Sequence, residues 1–150
     1  MTDFLSIKRN NYFRFKQFQI AHDRCSMKVG TDAVVLGAWV DCHPTTHVLD
    51  IGTGSGVIAL MLAQRTGAET KIDAVDVEPD DCAQAEENFL NSPWPQKIKI
   101  YCQDIRLFTA ETSYDLIVSN PPYFQNSMPP PAEKRKVSRH THSLTHKELL

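Results

Sequence analysis

The chain has 150 residues, a formal net charge of −2 and a sequence pI of 6.3, with 41% hydrophobic and 23% charged residues. This is one domain's worth of ordinary soluble composition, and no run reaches the roughly 18 apolar residues of a membrane helix. Cys25, Cys42, Cys82 and Cys102 make no C-x-x-C pair and the first residues carry no secretory apolar stretch, so the expectation is a cytoplasmic protein with reduced thiols and no metal.

The charge is segregated along the chain. Residues 1–28 hold six basic and two acidic residues, 29–131 hold five and fourteen, and 132–150 hold five and two. Either an anionic partner lies near the two ends or both ends are solvated flanks.

Taken in order, Phe13 and Phe15 alternate with Arg14 and Lys16, which predicts a short half-exposed strand. "VGTDAVVLGAW" (29–39) predicts a helix capped by Thr31 or Asp32. "THVLDI" (46–51) is a compact apolar strand that runs into "GTGSG" and the helical "VIALMLAQR" (57–65). "KIDAVDV" (71–77) is a second strand, and Pro79 opens a helix on which Cys82, Ala85 and Phe89 recur at helical spacing. After the breaker "SPWP" (92–95), "KIKIYC" (97–102) and "YDLIVS" (114–119) are the third and fourth strands.

Strands alternating with helices predict an α/β fold, a parallel sheet flanked by helices, with the four strands ordered third, second, first, fourth. Thr145 stands three residues before Glu148, a capping box one turn from Leu150. The expectation is therefore a sheet incomplete at its C-terminal end, in the N-terminal part of a longer protein. A basic segment, 1–28, precedes a domain at 29–150.

"LDIGTGSG" (49–56) follows a strand and opens a helix. Gly52 and Gly54 permit close backbone approach to a ligand, and Gly56 starts the helix without side-chain bulk. A dinucleotide fingerprint would need glycine at position 57, where valine stands. Asp50, Asp76 and Asp104 lie at successive strand ends, where ligands of such sheets bind. Asp76 is placed to accept from ribose hydroxyls and Asp104 from an adenine amine. Any one of these acids alone could be a cap or a solvated strand end. Together they favour an adenosine-bearing cation without phosphate, and S-adenosylmethionine meets those requirements.

These residues carry a resemblance. "VLDIGTGSGVIAL", Asp76, Asp104 and "NPPY" (120–123) resemble the class I S-adenosylmethionine-dependent methyltransferases, whose sheet is Rossmann-like. More narrowly, "FKQFQIAHDRCSMKVGTDAVVLGAW" (15–39) and "DLIVSNPPYF" are similar to the bacterial tRNA1(Val) (adenine-37-N6)-methyltransferases. The resemblance runs from about Arg9 to Leu150, and members of that family continue beyond the catalytic loop. It implies S-adenosylmethionine bound by Asp50, Gly52, Thr53, Gly54, Gly56, Asp76, Val77, Asp104, Ile105 and Asn120. It also implies N6-methylation of a tRNA adenine by Asn120, Pro121, Pro122 and Tyr123.

The chemistry of that loop is explicable. An adenine amine is a weak nucleophile because its lone pair is delocalised into the ring. The Asn120 side-chain oxygen and the Pro121 carbonyl can each accept one N–H, which localises the lone pair and aims it. Pro121 and Pro122 preset the carbonyl direction. Tyr123 offers a stacking face for a base taken out of its stack, and Phe124 either extends that wall or packs on the loop.

The family architecture implies that the basic ends flank the substrate mouth, with Lys8, Arg9, Arg14 and Lys16 on one side and Lys134, Arg135, Lys136 and Arg139 on the other, against tRNA phosphates. His22, Asp23 and Arg24 either order the N-terminal loop over the cofactor or form a surface turn. His140, His142 and His146 lack the spacing of a metal site. Two rival readings stay open: methylation of guanine in ribosomal RNA or of a protein glutamine amide, and a non-catalytic cofactor-binding module.

Overall fold

A computed structural model describes residues 10–122. Lys8, Arg9, Tyr123, Phe124, the basic residues 134–139, the three late histidines and the Thr145–Glu148 capping box all lie outside the described residues.

Two short strands, β1 (Tyr12–Arg14) and β2 (Gln19–Ala21), form an antiparallel hairpin. Helix α1 (Thr31–Trp39) follows, then β3 (His47–Ile51), α2 (Val57–Arg65), β4 (Lys71–Asp76), α3 (Pro79–Leu90), β5 (Ile98–Cys102) and β6 (Leu116–Ser119). The last four strands make one parallel sheet in the order β5-β4-β3-β6, the predicted order. β3 sits between two neighbours, and its Val48 to Ile51 are all buried, as a central parallel strand requires.

The main core lies on one face of this sheet, where α2 contributes an unbroken buried run from Val57 to Ala63. α1 packs tightly on α2. A Cβ on Gly37 would stand 2.6 Å from the Met61 sulfur, so any larger residue there would have to displace the Met61 side chain. Arg65 then donates to the Gly37 and Val40 carbonyls at 2.7 and 2.9 Å, closing the end of α1. On the other face, Leu49, Ile51 and Val75 pack with Tyr101, Ile105, Phe108 and Tyr114.

Three expectations about local elements are corrected here. β2 is an additional strand; only its partner was predicted. Phe15 ends outside β1, with its ring stacked on Phe18 at 4.4 Å. The N-cap of α1 is Gly30, and neither Thr31 nor Asp32 caps it. Phe18 and Ile20, ahead of the boundary drawn at residue 28, are buried in the same core as α2 and α3.

Candidate active site

The glycine loop joins β3 to α2 and takes its shape from the left-handed backbone of its three glycines, Gly52, Gly54 and Gly56. Gly54 has φ of +54° and Gly56 of +85°, in the left-handed region that side chains resist. Gly56 has a second constraint, because a Cβ there would stand 2.4 Å from the Phe89 ring. At Gly54, by contrast, a Cβ would meet nothing within 4 Å, since the backbone faces an open cleft.

That cleft has a volume of about 330 Å³ and lies at the carboxyl ends of the strands. Of the residues predicted to bind a cofactor, Gly52, Thr53, Gly54, Asp76, Val77, Asp104, Ile105 and Asn120 line it, and Pro121 and Pro122 complete the same wall. Asp50 and Gly56 do not line it. They lie behind the loop and hold its form.

Asp76 is the hinge of the arrangement. Its Oδ2 accepts from the Gly54 N–H at 2.8 Å and its Oδ1 from the Glu78 N–H at 3.0 Å. Each carboxylate oxygen has a further lone pair to offer a ligand. Asp104 caps the 3-10 turn Ile105–Leu107, accepting from Arg106 N–H at 2.9 Å, and forms an ion pair with the Arg106 guanidinium. The Arg106 side chain holds the Asp104 carboxyl down at about 2, so it is ionised at neutral pH. At the end of β6, the Ser119 hydroxyl donates to the Ile51 carbonyl at 2.9 Å. This bond fixes Asn120 beside the glycine loop.

Asp50 is 1% exposed and accepts from the Thr53 hydroxyl at 2.7 Å. Its other oxygen is buried without a hydrogen bond of normal geometry. Burial, with the nearby Asp76 charge adding to it, pushes this carboxyl up to about 7 from 3.8. The unfolded chain ionises Asp50 near 3.8, while the folded protein keeps the proton until about 7. The folded state therefore binds more protons across that window, and stability falls as pH rises through it. Asp50→Asn should flatten that decline. Denaturant melts from pH 4 to 8 should show the variant gaining on the wild type up to about pH 7. Parallel curves would remove Asp50 from this account.

Several lining residues escaped the sequence reading: Ser26, Met27, Lys28 and Val29, with Asp32 and Asp81. The 22–29 segment is tied down by α3. Asp81 accepts from the Ser26 N–H at 2.7 Å, Gln84 from the Arg24 N–H at 3.2 Å, and Arg24 pairs with Glu87. His22 is buried, with Nε2 donating to the Asn10 carbonyl and Nδ1 accepting from the Val29 N–H. His22 is thus buried and holds this segment in place, while Asp23 and Arg24 are exposed. The signal available was the polar character of one face of α3, where Asp81, Gln84 and Asn88 are buried.

Arg14 and Lys16 do not reach the cleft. They flank Phe15, which stacks on Phe18, and Phe18 packs edge-on at 5.7 Å against Trp94, just ahead of β5. This places them toward the amino ends of the strands, opposite the cleft. Among the described residues of the N-terminal segment, Lys28 is the cation that lines it. Among the described residues there is no cluster of three metal-ligating side chains and no helix long and apolar enough to cross a membrane.

Comparison with known proteins gives the same picture. The family described as methyltransferase small domain matches residues 25–140. The chain is 54% identical over 144 residues to the tRNA1(Val) (adenine(37)-N6)-methyltransferase of Photorhabdus laumondii, covering 95% of this chain and 59% of that protein. It is 47% identical over 152 residues to the protein of the same name from Citrobacter koseri, covering 100% and 62%. The chain thus spans about three-fifths of the length of these relatives. Among solved structures, P. horikoshii TYW2 in complex with MeSAdo matches with a TM-score of 0.59 at 21% identity, covering 71% of this chain and 40% of that one. At that identity the likeness speaks for the fold.

Proposed function

The chain belongs to the methyltransferase small-domain family, and from that premise we propose that it methylates N6 of an adenine in tRNA, adenine-37 of tRNA1(Val), with S-adenosylmethionine as donor. The observation that carries this reading is one cleft walled jointly by the bare glycine loop, by Asp76 and Asp104, and by Asn120-Pro121-Pro122.

The residues fit the cofactor. The backbone at Gly52 and Gly54 is open to the cleft, and acidic side chains on three elements suit a cation better than a phosphate. Asp76 would take the ribose hydroxyls, and Asp104, already ionised by its arginine partner, would accept from the adenine amine. When bound, S-adenosylmethionine supplies an electrophilic methyl group on a sulfonium.

The chain's own part is positioning. Asn120 Oδ1 and the Pro121 carbonyl each accept one proton of the target amine, so its lone pair is no longer shared with the ring. The two prolines hold φ near −65°, so the carbonyl is aimed before substrate arrives. No strong base is needed, because the attacking nitrogen becomes acidic as its new bond forms. Tyr123 is proposed to stack on the extruded base. Lys28 at the rim, with Lys8, Arg9 and the basic residues Lys134, Arg135, Lys136 and Arg139, would meet tRNA phosphates, and a tRNA substrate would suit a cytoplasmic protein. The names of the relatives support the choice of tRNA adenine over guanine or a protein amide.

The test is nucleoside mass spectrometry of tRNA after incubation with the protein and S-adenosylmethionine. N6-methyladenosine confined to position 37 of tRNA1(Val) is the expected result. A methylated guanine, or cofactor binding without transfer to tRNA, would replace this reading.

A further inference from the structure

We infer that Asp32 is a positioning residue for the transfer, acting through Asn120. This rests on the reading above, in which the Asn120 oxygen receives an amine proton. An asparagine side chain offers its oxygen to a substrate only if its NH2 group is held the other way round. In the structure Asn120 Nδ2 donates to Asp32 Oδ2 at 3.1 Å. The two residues are 88 positions apart, and both line the cleft. A carboxylate can only accept, so it selects one of the two amide orientations. That orientation turns Oδ1 away from Asp32, where it is free for an N–H donor. The charge also polarises the amide and makes its oxygen a better acceptor.

Two features place the carboxylate. Asp32 sits in the first turn of α1, where the helix dipole favours a negative charge. Gly30 precedes it with φ −105° and ψ 161°, extended backbone that any residue adopts. Glycine is therefore not needed there for its conformation. Its lack of a side chain leaves the carboxylate room, since a Cβ on Gly30 would stand 2.6 Å from Asp32 Oδ1 and the carboxylate would have to shift. The bond to Asn120 is exposed in the open cleft. It strengthens when cofactor and base exclude water from it.

The test uses three variants of the protein. Asp32→Ala should lower kcat by up to about 10²-fold, the cost of a misaimed group, with the S-adenosylmethionine Kd held within a few-fold and the melting temperature only slightly lowered. Asp32→Asn keeps an acceptor at the same place but can also donate and carries no charge, so it should recover only part of the loss. Gly30→Ala leaves the carboxylate in the chain but displaces it, and should reproduce the kcat defect. A readout free of turnover accompanies these. In the wild type saturated with S-adenosylmethionine one Asn120 side-chain amide proton should be shifted downfield and protected from exchange in NMR spectra. Asp32→Ala should abolish that protection. An active wild type with an equally active Asp32→Ala, or an unprotected Asn120 amide in the wild type, overturns the inference. Protection without tRNA methylation would instead retain the Asp32–Asn120 pair and reject the tRNA reading.

Discussion

Asn120→Ala is expected to lower the rate of methyl transfer by about 10³-fold, the upper range for losing one preorganised group that stabilises developing charge. Binding of S-adenosylmethionine should stay within a few-fold, because Asn120 is one of many residues around the cleft. Its special contribution is the acceptor that localises the amine lone pair, and no neighbouring side chain of the described wall replaces it. Single-turnover assays on saturated protein separate this from weakened tRNA binding. Asp76→Ala gives the complementary result. It removes the acceptor for Gly54 and Glu78 N–H groups as well as the proposed ribose contact, so calorimetry should show the loss in Kd. Near-normal single-turnover rates in Asn120→Ala would refute its assigned role.

The second large effect is on stability. Gly56→Ala should destabilise the fold by about 2–5 kcal/mol, from a left-handed backbone cost of about 1–2 and an overpacking cost of about 1–3. The backbone cost follows from φ of +85°. The overpacking follows from the Phe89 ring carbon 2.4 Å from where the methyl would sit. These contributions can be divided by experiment. Phe89→Leu in the Gly56→Ala background should relieve the clash and leave the backbone cost, so the two substitutions should be strongly non-additive in denaturant melts. Strict additivity would show that the ring moves aside without penalty.

The parts of this molecule legible in sequence were those with local causes. Four apolar runs, the first three separated by helical periods, point to the sheet and its order, because right-handed crossovers leave few alternatives. The glycine loop was readable because its demand is on the backbone itself. What escaped depends on partners far away in the chain. "QIA" at 19–21 is too short to show alternation, and it is ordered by Asn88 and by the packing of Phe18 on Trp94. Asp32 looked like a helix cap because capping is the local use of such a residue, whereas its carboxylate turns to Asn120. Arg14, Lys16 and Lys28 are equivalent in a charge count, and only the path of the hairpin separates the far end from the rim.

The hairpin also bears on where this domain begins. Asn88, buried on α3, accepts from the Ala21 N–H at 2.9 Å, donates to the Ala21 carbonyl at 2.9 Å and donates to the Ser55 carbonyl at 2.8 Å. One carboxamide thus splices the N-terminal ribbon to the glycine loop. The family match opens at residue 25, downstream of that splice. A chain trimmed to the match would leave the buried amide short of two of its three bonds, at about 1–3 kcal/mol for each unsatisfied group. The packing that shapes this cleft therefore reaches further toward the N-terminus than residue 25, where the family match opens.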